Sequence, residues 1–171
     1  MVDQKKLKKG RIAEDLVSAL LKLEEYYVDR YSLYDENGNE LAQIISIQDQ
    51  SYICPDLEVY HDSSRTMFLM RVEVKSLSSL YTKYKLKGKY LTVKKYQFDS
   101  YYRLQRDEEV ECRIVFVVGD NLPMEYDIYW ARLNDLENSE FLVLDAYGDG
   151  EDYLFDISVF NRGIDEYFLP F

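Results

Sequence analysis

Apolar positions along the chain change their spacing several times, and each change marks an element. From 5 to 24, Leu7, Ile12, Leu16, Val17, Leu20, Leu21 and Leu23 recur at helical intervals, which predicts an amphipathic first helix. Residues 26–34, Tyr-Tyr-Val-Asp-Arg-Tyr-Ser-Leu-Tyr, read as a strand, and Asp35-Glu36-Asn37-Gly38-Asn39 as the turn after it. Residues 40–47 fit either a strand or a short helix, and 48–52 a polar connection. Two β-branched and aromatic runs follow, Pro55 to Tyr60 and Met67 to Lys75, joined by a turn at Asp62-Ser63-Ser64, so they predict neighbouring strands. Residues 93–106 predict a helix capped by Thr92, with Val93, Tyr96, Gln97, Tyr101 and Leu104 on one stripe. An apolar run at 112–118 has the length of a buried strand and closes at Gly119-Asp120-Asn121. Residues 127–133 and 140–144 read as further strands, 147–152 as an acidic turn and 164–171 as an aromatic tail.

The run ending at Lys75 is the one whose pattern carries chemistry. It begins apolar on both faces, as a central strand does, and then alternates. Val72 and Val74 point to one side, Glu73 and Lys75 to the other. If the turn brings Asp56 beside Glu73, two carboxylates and an ammonium converge. Two carboxylates are hard oxygen ligands suited to a magnesium-type cation, and a neighbouring lysine can reach a metal-bound water or a phosphate. Glu-x-Lys by itself is a common pair at the solvent edge of a hairpin, so the surrounding residues carry the case.

At 171 residues the chain has the length of one domain with a proper core, and its 47% apolar content and 17 tyrosines indicate folded protein. No apolar run approaches the ~20 residues needed to span a bilayer, and Met1 to Lys6 leads into a charged segment, so a cytoplasmic location is the expectation. Cys54 and Cys112 have no metal-binding spacing and sit in apolar contexts, which predicts small buried thiols in a reducing compartment.

The net charge of −11 is unevenly spread. Residues 1–100 carry 16 Lys and Arg against 15 Asp and Glu, whereas 101–171 carry 5 against 17. The whole-chain charge argues against nonspecific nucleic-acid binding, but the basic residues cluster around the candidate chemistry. Lys5, Lys6, Lys8, Lys9 and Arg11 crowd the start of the first helix, where the macrodipole disfavours cations, so they are either a solvated end or a phosphate contact. In Tyr81 to Tyr90, Lys83, Lys85, Lys87 and Lys89 alternate with tyrosines, which suits either a strand of nucleic acid or an edge strand protected by lysines. Glu14 borders the buried stripe of the first helix, at the rim of the core or aimed at a site.

Taken together, Glu14, Pro55-Asp56, Glu73-Val74-Lys75, and Gln97 with Tyr101 resemble, in that order, the motifs of the PD-(D/E)XK nuclease superfamily. Gln97-x-x-x-Tyr101 looks like a further motif of its RecB-like exonuclease branch, and Lys9-Gly10-Arg11 through Leu16 resembles the first helix of archaeal Holliday-junction resolvases. The resemblance covers roughly 9–118 and leaves 119–171 as an acidic extension of the same domain. It implies an α/β fold with a restriction-endonuclease-like core, a central mixed β-sheet flanked by helices, and extra C-terminal strands. It also implies Mg²⁺- or Mn²⁺-dependent hydrolysis of phosphodiester bonds in DNA, branched or single-stranded forms included. Asp56, Glu73 and the Val74 carbonyl would then hold the metal, Glu14 a second metal or its water, and Lys75 would act on the attacking water. Gln97, Tyr101 and the lysines at 83, 85, 87 and 89 would contact the strand. His61, the sole histidine, falls on a turn and reads as a surface residue.

A different class of function is an idle member of the same fold that serves as a binding module, its acidic half docking a basic protein or mimicking DNA charge. Intact Asp56, Glu73 and Lys75 argue against an idle site.

Overall fold

The structure, a computed structural model, describes residues 4–31, 33–34, 40–41, 44–47, 49–82, 88–145, 150–164 and 168. In chain order the elements are α1 (Gln4–Leu23), β1 (Tyr27–Arg30), β2 (Leu33–Tyr34), β3 (Glu40–Leu41), β4 (Ile44–Ile47), β5 (Gln50–Ile53), β6 (Leu57–Tyr60) and β7 (Phe68–Leu77). There follow β8 (Tyr90–Lys94), α2 (Lys95–Glu108), β9 (Glu111–Asn121), β10 (Glu125–Arg132), α3 (Leu133–Glu137), β11 (Phe141–Asp145), β12 (Glu151–Asp156) and β13 (Asn161–Arg162). Among the described residues, no helix is long and apolar enough to cross a membrane.

The central sheet runs β1-β6-β7-β9-β10-β13. β7 lies between an antiparallel neighbour, β6, and a parallel one, β9, so the sheet is mixed. A parallel pair needs a crossover, and the chain supplies it through β8 and α2. The residues of β7 facing one way, Met70, Val72 and Val74, pack with Val115, Val117, Ile128 and Trp130 under α1. Ala13, Val17 and Leu21 of α1 recur every four residues and are fully buried there, while Leu23, read as part of the stripe, is 77% exposed at the helix's C-terminal end. On the opposite face Cys112, Ile114, Phe116 and Tyr129 pack with Phe98 and Tyr101 of α2. A small second sheet, β11-β12-β8, joins that core through Leu91, Val93 and Phe155.

Local pattern and fold part company in several places. Of residues 48–52, which read as a connection, 50–52 belong to β5 (Gln50–Ile53), which pairs with β4 and so makes a strand of 44–47 as well. The helix expected from 93 begins at Lys95, because Tyr90–Lys94 is taken into the small sheet opposite β12. Thr92 is therefore a strand residue, and Lys94, at the N-cap position, makes no side-chain cap. The helix ends where Glu109 turns left-handed. Tyr96 moves off the buried stripe and is 58% exposed. Glu151 and Asp152, the last two residues of the predicted acidic turn, open β12. β10 and β13 extend the central sheet itself, so the acidic C-terminal stretch is woven into it. The predicted turn at 35–39, and Lys83, Lys85 and Lys87, lie outside the described residues.

At Gly119 a Cβ would lie 2.3 Å from the Glu125 backbone oxygen, where the β9–β10 register shifts. Backbone cannot swing aside as a flexible side chain does, so Gly119→Ala is expected to lower the unfolding midpoint by roughly 3–10 °C. Thermal denaturation followed by circular dichroism reads this directly.

Candidate active site

The candidate site is built where β6 begins and β7 ends. Leu57 pairs with Val72, and one step further that register sets Asp56 across from Glu73. Paired residues project to the same face of a sheet, so both carboxylates point to the α2 side together with Lys75. The expected split of β7 is what the fold has, with Val72 and Val74 under α1 and Glu73 and Lys75 on the other face.

The hydrogen bonds hold these groups in place. Asp56 Oδ2 accepts from the Val74 backbone N–H at 2.8 Å. Lys75 forms an ion pair with Glu73 Oε1 and donates to Gln97 Oε1 of α2 at 3.0 Å. Tyr101, four residues on from Gln97 and only 2% exposed, lies beside the Glu73 carboxylate, whose charge acts on its phenol. Gln97 and Tyr101 thus face inward at the site's own side chains. Glu73 is 4% exposed, and its Oε2 is buried with no hydrogen-bond partner among the described residues.

The electrostatics follow from that packing. Burial, then the Glu73 charge, push the Asp56 carboxyl well above the usual Asp range; Glu14 adds to this, against the pull of Lys75 and the Val74 N–H. Burial alone would lower Lys75, but Glu73 and Asp56 outweigh it and hold the ammonium above its ordinary value. Burial and the same two carboxylates raise the Tyr101 phenol far up.

An unsatisfied buried carboxylate oxygen beside a second carboxyl that resists ionisation is a donor pair short of a cation. The chemistry of the set suits a hard divalent ion, which uses one or two carboxylates plus waters. Glu14 is 4% exposed on α1 and acts on Asp56 through its charge. Among the described residues no three His, Cys, Asp or Glu side chains gather closely enough to hold a metal ion, so Glu14 does not close a three-carboxylate cage with Asp56 and Glu73.

Of the basic residues expected at the site, Lys9 donates to Ser78 Oγ at 2.7 Å, three residues past Lys75, so the start of α1 borders the site. Lys89 is exposed. The acidic residues of β12 do not stand alone, because Glu151 meets Lys95 at 2.5 Å and Asp152 meets Lys94 at 3.2 Å. His61 is exposed on its turn, its ring edge-on to Tyr26. Cys54 and Cys112 are free and buried, and burial pushes both thiols up to about 12.

A second charged group escapes a reading of the sequence by motif. Arg71, 5% exposed, meets Glu58 Oε1 at 3.2 Å and is also paired with Glu108 of α2. The Tyr60 hydroxyl donates to Glu58 Oε2 at 2.6 Å. Glu58 and Arg71 are cross-strand partners, two residues from Asp56 and Glu73 on the same face. The signal for them lay in the same alternation, since Asp56-x-Glu58 and Arg71-x-Glu73-x-Lys75 place all five charges on one side.

A mixed sheet with α1 on one face and α2 on the other, and with carboxylates and a lysine at the junction of two neighbouring strands, has the architecture of the restriction-endonuclease-like fold. Among solved structures it is similar to the 1.6 Å structure of Hjc from Archaeoglobus fulgidus, a Holliday junction resolvase from an archaeal hyperthermophile. The TM-score is 0.52 at 15% identity, over 88% of this chain and 91% of that one. No family model and no curated protein matches the sequence.

Proposed function

We propose that the chain is a divalent-metal-dependent nuclease that hydrolyses phosphodiester bonds in DNA. The observation that carries this reading is Asp56, just before β6, held by the Val74 N–H and acted on by the Glu73 charge, next to Lys75, with one Glu73 oxygen buried and unsatisfied. The fold shared with a Holliday junction resolvase supports DNA, branched DNA in particular, as the substrate class.

In this reading Asp56, Glu73 and the Val74 carbonyl hold Mg²⁺ or Mn²⁺, and Glu14 supports a second ion or a bound water. The metal supplies Lewis-acid charge at the phosphate and lowers the pKa of water. The protein's own residues do the rest. Lys75, kept cationic by Glu73 and Asp56, donates to the attacking water or a phosphate oxygen and stabilises charge developing there. Gln97 fixes the Lys75 ammonium, and Tyr101 packs beside Glu73. Both are therefore positioning residues and not direct contacts to the strand. Lys9 and Lys89, with the lysines at 83, 85 and 87, take the backbone phosphates.

Asp56 provides the test. Its raised pKa means that the folded metal-free protein keeps a proton that the unfolded chain releases, so stability falls as pH rises above about 4. Asp56→Asn keeps an oxygen for the Val74 N–H and removes this penalty. At pH 7 without metal it is expected to melt a few degrees above wild type. Added Mg²⁺ should raise the wild-type midpoint and leave Asp56→Asn where it was, since only a ligand-binding native state gains. If Mg²⁺, Mn²⁺ and Ca²⁺ move neither midpoint, and calorimetry detects no binding to wild type, the metal-dependent reading fails and the binding-module reading replaces it.

A further inference from the structure

The outward face of α2 carries a feature that the catalytic reading does not use. Tyr96, Asp99, Tyr102 and Arg103 line a shallow cavity of about 560 Å³. These positions fall three and four apart, on the face opposite Phe98, Tyr101 and Leu104, which are buried. Tyr96 is 58% exposed, a large apolar ring held in water. Tyr102 lies near Glu137, whose carboxylate raises its phenol. Arg103 sits with its guanidinium carbon 5.9 Å from the centre of the Tyr52 ring. Of the residues lining the cavity, Tyr96 reaches toward the candidate site, since its phenol acts through its charge on both Lys75 and Tyr101.

We propose that this cavity takes one unpaired nucleobase of the DNA strand being cut, stacked on Tyr96, and so selects for single-stranded or branched substrates. The proposal rests on the nuclease reading and names its substrate form. Every base has a π-face, so an exposed tyrosine is a sequence-tolerant platform. Asp99 offers an acceptor for an exocyclic amino group. Arg103, exposed on the same face, supplies positive charge for a flanking phosphate. A base inside a duplex is stacked on its neighbours and enters only if it is flipped out, whereas one at an end, a loop or a branch point is already available.

The test measures binding of fluorescein-labelled DNA by anisotropy, with Ca²⁺ in place of Mg²⁺ to suppress cutting. Tyr96 is exposed, so Tyr96→Ala is expected to fold, and its melting midpoint checks this. On a single strand Tyr96→Ala should bind about tenfold more weakly than wild type, and Tyr96→Phe like wild type. On blunt duplex the three proteins should be equal. An abasic strand should lose with wild type what Tyr96→Ala loses on the normal strand, and the two losses should not add. Equal binding of wild type and Tyr96→Ala to the single strand, equal losses on single strand and duplex, or fully additive abasic and Tyr96→Ala losses would overturn the proposal. Cleavage run in parallel with Mg²⁺ separates the two readings. A wild-type protein that cuts DNA while Tyr96→Ala binds unchanged sinks this inference alone; one that neither cuts nor binds DNA sinks both.

Discussion

Lys75→Ala is expected to lower DNA cleavage by roughly a hundred- to a thousandfold while leaving metal binding in place. Removing one preorganised donor aimed at developing charge costs about that much. Lys75 is the cation of the site, paired with Glu73 and fixed by Gln97. It supplies no oxygen ligand, so the affinity for Mg²⁺ should hold or rise as the competing ammonium leaves. Gln97→Ala, which frees Lys75 without removing it, should cost less than Lys75→Ala. Single-turnover cleavage beside calorimetric Mg²⁺ titration separates these effects. A Lys75→Ala protein that cuts as wild type would remove the lysine from the mechanism.

The largest effect on stability is expected at Arg71. Its guanidinium is almost wholly enclosed between Glu58, Glu108 and the Phe68 ring, which lies 5.2 Å away. Arg71→Met would leave the Glu58 carboxylate buried without its cation, and breaking a buried pair in this way costs about 3–5 kcal/mol. For a chain of this length that lowers the unfolding midpoint by roughly 6–20 °C. The triple variant Arg71→Met, Glu58→Leu, Glu108→Leu removes the charges together and should recover most of the loss, since an apolar replacement of a whole buried ion group is often neutral or better. Thermal melts of the two variants decide it. Equal destabilisation in both would mean that packing around Arg71 matters and its charge does not.

The contrast between the two groups shows what the sequence makes legible. Asp56, Glu73 and Lys75 stand out because a two-residue period in a strand fixes sidedness without knowledge of any partner, and the same logic separates Val72 and Val74 from them. Arg71 and Glu58 obey the same period, but their pairing with Glu108 needs α2 to fold back over the sheet, and no local pattern tells of that. The start of α2 is hidden from the local pattern for a similar reason. Thr92 and Val93 suit a helix start locally, yet Leu154 and Tyr153, some sixty residues later, hold them in a strand. Tyr96, on the edge of the apparent core stripe, lies at the surface, where it becomes useful. β12 hid behind its acidity, because Glu151 and Asp152 read as turn residues until Lys95 and Lys94 are placed beside them. The β6–β7 hairpin was readable from its two apolar runs and polar turn because its partners are neighbours in the chain.

The most direct test of the proposed centre is cleavage of end-labelled single-stranded, duplex and four-way-branched DNA, and of RNA, by wild type and Asp56→Asn in Mg²⁺. The account predicts that wild type cuts DNA, that EDTA stops the cutting and Mn²⁺ restores it, and that Asp56→Asn, folded and without metal more stable than wild type, cuts nothing. Cleavage of equal rate by Asp56→Asn, or none of any substrate by a wild-type protein that melts cooperatively in the presence of Mg²⁺, would contradict it.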